Sequence, residues 1–157
     1  MSKRTARTLG LVVTLGLLLV GAGAASAAPT AAKGGLDPVI DGYLAVHVGL
    51  FKDDLAAAKK AGATLAKTAK GHADVARAAT AIAEAEDIAA ARAAFGDASK
   101  ALITLVAADP DVASAVRAFK CPMVKGYQKW IQRAEKLQNP YMGKRMPSCG
   151  THAELAP

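Results

Sequence analysis

Both cysteines, three of the four methionines, the single tryptophan and two of the three tyrosines of this 157-residue chain lie between Cys121 and Cys149. In order the stretch reads C-P-M, W-I-Q, N-P-Y-M-G and M-P-S-C-G. Thiolate and thioether sulfur are soft donors that select Cu(I) over hard cations such as Mg²⁺ or Ca²⁺. Cys121-Pro122-Met123 sets a thiol and a thioether two apart, on one side of an extended segment. Met146 lies three before Cys149, and Met142 four before Met146. Cys121, Met123, Met146 and Cys149 are therefore the candidate ligands of one Cu(I) in the reduced chain, with Met142 and His152 as further candidates. Lys120, Lys144 and Arg145 stand beside the cysteines and are expected to favour their thiolate forms. Pro122, Pro140 and Pro147 stiffen the loop and lower the ordering cost of closing it around an ion. The same two residues also read as a disulfide, Cys121–Cys149, whose roughly 28-residue loop would contribute about 3–4 kcal/mol in the chain-entropy model. Both readings stand at this point.

The compartment weighs on that choice. Residues 1–27 read as a signal peptide: Lys3, Arg4 and Arg7 precede the apolar run Leu9–Val20, and Ala25-Ser26-Ala27 fits a small-x-small cleavage site. The expected mature chain begins at Ala28 in the periplasm or outside the cell, with no stable membrane insertion after cleavage. An uncleaved anchor is the competing reading, but the apolar run only just reaches the roughly 20 residues a span requires. Oxidising compartments pair exposed thiols. After cleavage 17 of the 20 basic residues remain against 13 acids. The excess is concentrated in Arg117–Cys149, where eight Lys or Arg face one acid, Glu135. Export excludes nucleic acid as the partner, and the basic stretch lacks the interleaved aromatics that stack bases. A solvated surface accounts for the charge.

The remaining polar residues argue against an enzyme. There is no phosphate-cradling glycine loop, no H-E-x-x-H pair and no G-x-S-x-G elbow. A Cys–His nucleophile would have His152 as its only local base, with nothing to orient it. His47 falls in register with Tyr43, Leu44 and Phe51 and reads as a partly buried, hydrogen-bonded histidine; His72 falls in a turn. Asp53-Asp54 reads as a helix cap rather than a cation site, because adjacent acids on a helix point apart. Trp130 and Tyr141 read as a small core beneath the loop.

The elements that must position the cysteines come before them. Residues 28–36 form a glycine-rich linker. Asp37 and Pro38 open a helix, with Ile40, Tyr43, Leu44, His47, Leu50 and Phe51 at helical spacing. Asp53 or Asp54 caps a second helix, Asp74 starts a third after Lys70-Gly71, and Asp87 caps a fourth that runs to Val106. Asp109-Pro110-Asp111 turns the chain into a short helix ending near Phe119. The buried face is mostly alanine, which favours helix and lets axes approach closely. Ile40, Leu44, Phe51, Leu55, Leu65, Ile82, Phe95, Leu102 and Leu105 are the expected core. The fold class expected is all-α: an antiparallel bundle of about four helices over residues 37–119, a Cys/Met-rich C-terminal loop over 120–150 of the same domain, and a tail over 151–157. Within the loop, Trp130, Ile131, Ala134 and Leu137 suit a short amphipathic helix over 128–138, and the flanking glycines and prolines equally suit a hairpin.

Cys121-Pro122-Met123, Trp130, Asn139-Pro140-Tyr141, Gly143, Met146 and Cys149-Gly150 resemble the signature of domain of unknown function 3347, a bacterial envelope family. Tyr43-Leu44, Val46, Leu50 and Asp53-Asp54 resemble its opening helix, so that the likeness spans Ile40 to Gly150. Met142 stands where the family often carries an aromatic residue, and the segment from Met123 to Trp130 is short for the family. The family occurs alone after signal peptides and within adaptor subunits of copper and silver efflux pumps. The resemblance therefore implies an exported accessory protein of heavy-metal, chiefly copper, homeostasis, partnered by an efflux component or another envelope protein. The alternative is a non-enzymatic interaction module stapled by the disulfide and binding no metal.

Overall fold

The computed structural model describes residues 35–157. The signal peptide and nearly all of the linker read from the sequence lie outside the described residues. Four helices follow one another: α1 (Asp37–Phe51), α2 (Leu55–Thr68), α3 (Ala73–Glu84) and α4 (Ile88–Ala107), and then the short α5 (Pro110–Ser114). Three strands close the chain: β1 (Arg117–Lys120), β2 (Lys129–Gln132) and β3 (Thr151–His152). They form an antiparallel sheet in the order β2-β1-β3.

The helix boundaries follow side-chain chemistry. Asp54 caps α2 by accepting from the Ala57 N–H at 2.9 Å, and Asp87 caps α4 through the Ala90 N–H at 2.7 Å. Asp109 caps α5 through Val112 at 3.3 Å. Each satisfies a first-turn donor that has no partner within its helix. Two starts differ from expectation. Leu36, not Asp37, holds the cap position of α1, and Asp37 sits in the first turn. His72 holds the cap position of α3 without a side-chain bond, and Asp74 pairs with Arg77.

Close approach is visible at Gly49, where a Cβ would lie 2.7 Å from the Ala58 nitrogen. There α1 and α2 touch backbone to backbone, the kind of contact small residues permit. The core is centred on Tyr43, Leu50, Leu65, Ile82, Phe95, Leu102 and Ile103. Leu44, Leu55 and Leu105 are only partly buried.

The all-α expectation holds for the helical part and fails after Ser114. Phe119 lies in β1 and residues 129–132 form its partner strand, so the helix reading of 128–138 fails, and the hairpin that forms pairs 129–132 with 117–120 rather than lying within 128–138. Phe119 pairs with Trp130 and Ala118 with Ile131. The sheet shares the helical core. Aromatic rings run from α1 outward: Tyr43 stacks on Phe95 with centroids 4.7 Å apart, Phe95 meets Tyr141 at 5.6 Å, Tyr141 meets Trp130 at 5.9 Å, and Trp130 stacks on Phe119 at 5.7 Å. Trp130 and Phe119 are almost wholly excluded from solvent.

Candidate functional site: the cysteine pair and its frame

Strand pairing brings the cysteines together. Cys121 follows β1 and Cys149 precedes β3, and Lys120 pairs with Thr151 across the two strands. The two Sγ atoms stand 3.5 Å apart. Cys121 is wholly buried, and Cys149 is half-buried. Gly150 explains the C-G sequence: its φ is +142°, and a Cβ there would lie 2.8 Å from the Lys120 carbonyl oxygen and 3.1 Å from the Trp130 ring. A larger residue would push β3 away from β1 and part the sulfurs.

Asn139 fixes the far side of the pair. Its side-chain N–H donates to the Cys149 carbonyl at 2.6 Å, and its Oδ1 accepts from the Tyr141 and Met142 N–H groups at 2.9 and 3.0 Å. This wholly buried amide thus holds the N-P-Y-M-G turn and the second cysteine at once. Trp130 donates its ring N–H to Gln132 Oε1 at 3.1 Å, and Gln132 in turn donates to the carbonyls of Ala134 and Lys136 at 2.7 and 2.8 Å.

A polar clamp ties this frame to the helices. Asp53 has a φ of +57° and accepts from Arg92 of α4 and from the Lys144 N–H. Arg92 also donates to the carbonyl of Pro140 at 2.9 Å and to that of Leu50 at 3.1 Å. The Lys144 N–H, helped by the Arg92 guanidinium, holds the Asp53 carboxyl below the usual carboxylate range. Gly143, with φ +55°, is required here because a Cβ would collide with the Asp53 carboxylate. The sequence reads Asp53 as a helix cap, and nothing in it singles out Arg92. The only sequence signal for the clamp was an acid beside a cap and a glycine after N-P-Y-M.

The remaining candidates separate. Met123 is 63% exposed and Met146 39% exposed, whereas Met142 is buried with its sulfur 3.8 Å from Arg145 Nη2. His152 lies in β3 with its ring 4.5 Å from that of Phe119, so the segment expected to be a free tail is partly sheet. His47 donates from Nε2 to the Gln138 carbonyl at 2.8 Å, and burial drives its pKa down to about 4. The expected depression of the cysteine pKa by nearby cations is not what Cys149 experiences. The Cys121 thiol beside it pushes the Cys149 thiol up.

Two sulfur donors therefore converge, as a soft cation would need. Among the described residues no three or more His, Cys, Asp or Glu gather into a metal-binding group. Of the candidate thioethers, Met123 and Met146 are exposed and Met142 is buried.

Comparison with protein families adds one result. Residues 39–112 match the DUF3347 family, described as a protein of unknown function. The DUF3347 match supports the domain family that the sequence resembles, and it lies on α1 to α5. It stops short of Cys121, so the similarity detected is in the helices rather than in the C-terminal signature on which the resemblance leaned. No curated protein and no solved structure matches the chain. Among the described residues no helix is long and apolar enough to cross a membrane.

Proposed function

We propose that this chain is an exported, non-enzymatic binding module whose C-terminal sheet is closed by a Cys121–Cys149 disulfide. The observation that carries the reading is the 3.5 Å approach of the two sulfurs, with Cys121 out of reach of solvent. Forming the bond removes a proton and an electron from each thiol, passed to a disulfide oxidant of the kind oxidising compartments maintain. The bond would tie β3 and the 139–149 turn to β1. It would stabilise the surface that the sheet presents to another envelope protein.

A second reading concerns the reduced pair. Convergent thiolates suit Cu(I), and thioethers on the flanking loops suit it too. In this reading Cys121 and Cys149 hold the ion, Met123 and Met146 complete the set, with Met142 and His152 in reserve. The protein then serves heavy-metal homeostasis or efflux. The copper context comes from the resemblance, and Met123 and Met146 stand exposed, so we keep this reading second.

An anaerobic Cu(I) competition titration separates the two. Reduced wild type is compared with Met146→Leu and with the chain in which both cysteines are serine. The module reading expects wild-type affinity no better than that of the double-serine chain. Tight binding lost with the cysteines and weakened in Met146→Leu would establish the copper reading instead.

A further inference from the structure

A cleft of about 540 Å³ opens between α4 and the loop that follows Cys121, and neither cysteine lines it. That size lies within the range of sites for small molecules. Its floor is one face of α4, where Ala89, Ala93 and Gly96 project almost nothing. At Gly96 the Tyr127 carbonyl lies 3.5 Å from where a Cβ would be, so the loop rests directly on the helix. The Tyr127 and Tyr141 side chains and the thioethers of Met123 and Met142 supply polarizable walls.

The charge around this cleft is unbalanced. Arg92 is neutralised by Asp53. Lys125 and Arg145 also line the cleft, and neither has an ion-pair partner among the described residues. Asp97 is the one carboxylate on the wall and offsets only one of them. Such a site repels a cation and attracts an anion. Tyr127 adds an independent sign: its hydroxyl is the buried side-chain polar atom, among the described residues, that has no hydrogen-bond partner. Buried polar groups in native structures are nearly always paired. Burial also keeps this phenol protonated, and so a donor. The hydroxyl is closed to solvent where it stands, so the half-buried ring must turn for a bound acceptor oxygen to reach it.

We propose that the cleft binds a small organic anion with a flat apolar body. The ring system lies on the alanine floor of α4, and the anionic head is held by Lys125, Arg145 and the Tyr127 hydroxyl. The site is independent of the cysteines and goes beyond the module reading, so it should behave alike in oxidised and reduced protein.

Naphthalene-2-sulfonate serves as the probe, titrated calorimetrically into the purified chain. Saturable binding is expected, at least tenfold tighter than that of neutral 2-naphthol. The Lys125→Ala/Arg145→Ala double variant is expected to weaken it at least tenfold. Ala93→Leu, which fills the floor from an exposed helical position, is expected to do the same. Lys60→Ala, an exposed substitution on α2, is the control and should bind as wild type does. A thermal melt of each variant confirms that the fold is kept. A tenfold loss in either cleft variant supports the site. The proposal is overturned by failure of wild type to bind the sulfonate saturably, by equal binding of sulfonate and naphthol, or by binding that survives both cleft variants.

Discussion

The helical body and the C-terminal sheet are held by different kinds of contact. The body relies on local signals and small residues. Asp54, Asp87 and Asp109 each satisfy a donor three residues on, and Gly49 meets Ala58 across a short loop. The sheet relies on partners distant in sequence. His47 reaches Gln138, Arg92 reaches Pro140, and Asp53 reaches Lys144. Local contacts make a region easy to form. Distant polar contacts make a region dependent on everything they reach, and their buried members are costly to leave unpaired. The two regions therefore share a core without sharing a logic.

Removing the tryptophan breaks the comparison most severely. Trp130 belongs to the sheet, yet its ring meets Tyr141, which in turn packs on Phe95 of α4. Trp130→Ala is expected to destabilise the whole domain by about 3–5 kcal/mol. Urea unfolding followed by helix ellipticity and by tyrosine fluorescence should show one lowered, coincident midpoint. Retention of the wild-type helix midpoint would mean that the body stands alone.

Acid sharpens it next. His47 has a folded pKa of about 4 against a reference of 6.5, so between these values the unfolded chain binds more protons. The stability contributed by the neutral, buried ring is present in full above about pH 6.5 and is lost as the pH falls toward about 4, in total about 3 kcal/mol. Asp53 acts in the same direction at lower pH, its depressed carboxyl losing the clamp as it protonates. Urea midpoints measured across this range should fall with acid in wild type and fall much less in His47→Gln. Parallel pH profiles for the two proteins would show that His47 is not the group responsible.

The smallest effect belongs to the body. Asp87→Ala removes the α4 cap and is expected to cost about 1 kcal/mol. Hydrogen exchange should quicken in the first turn of α4 while the sheet amides keep their protection. Equal loss of protection in β1 and β2 would contradict the local character assigned to the helices.

The same division explains what could be read from the sequence. Caps and helical spacing are properties of neighbours, so α1 to α4 and the cap residues Asp54, Asp87 and Asp109 were legible. The strands were not. Trp130, Ile131 and Gln132 are buried in succession, on both faces of β2, so no alternation marks the strand. Trp130, Ile131, Ala134 and Leu137 instead mimic a helix. Asn139 binds Tyr141 and Met142 within its own turn, but its bond to Cys149, ten residues on, leaves no mark in the local sequence. The proximity of the cysteines was a natural suggestion of their residue type, but Gly150's part in it depends on a packing contact with Trp130 that no local pattern announces.

The central claim is that Cys121 and Cys149 are bonded to one another in the working protein. The direct measurement is the intact mass of the chain taken from its own compartment, quenched with acid and treated with a thiol-alkylating reagent before and after reduction. The account predicts no alkylation before reduction, a mass lower by a pair of hydrogens, and two alkyl groups added after reduction. Alkylation of both cysteines without reduction would contradict it.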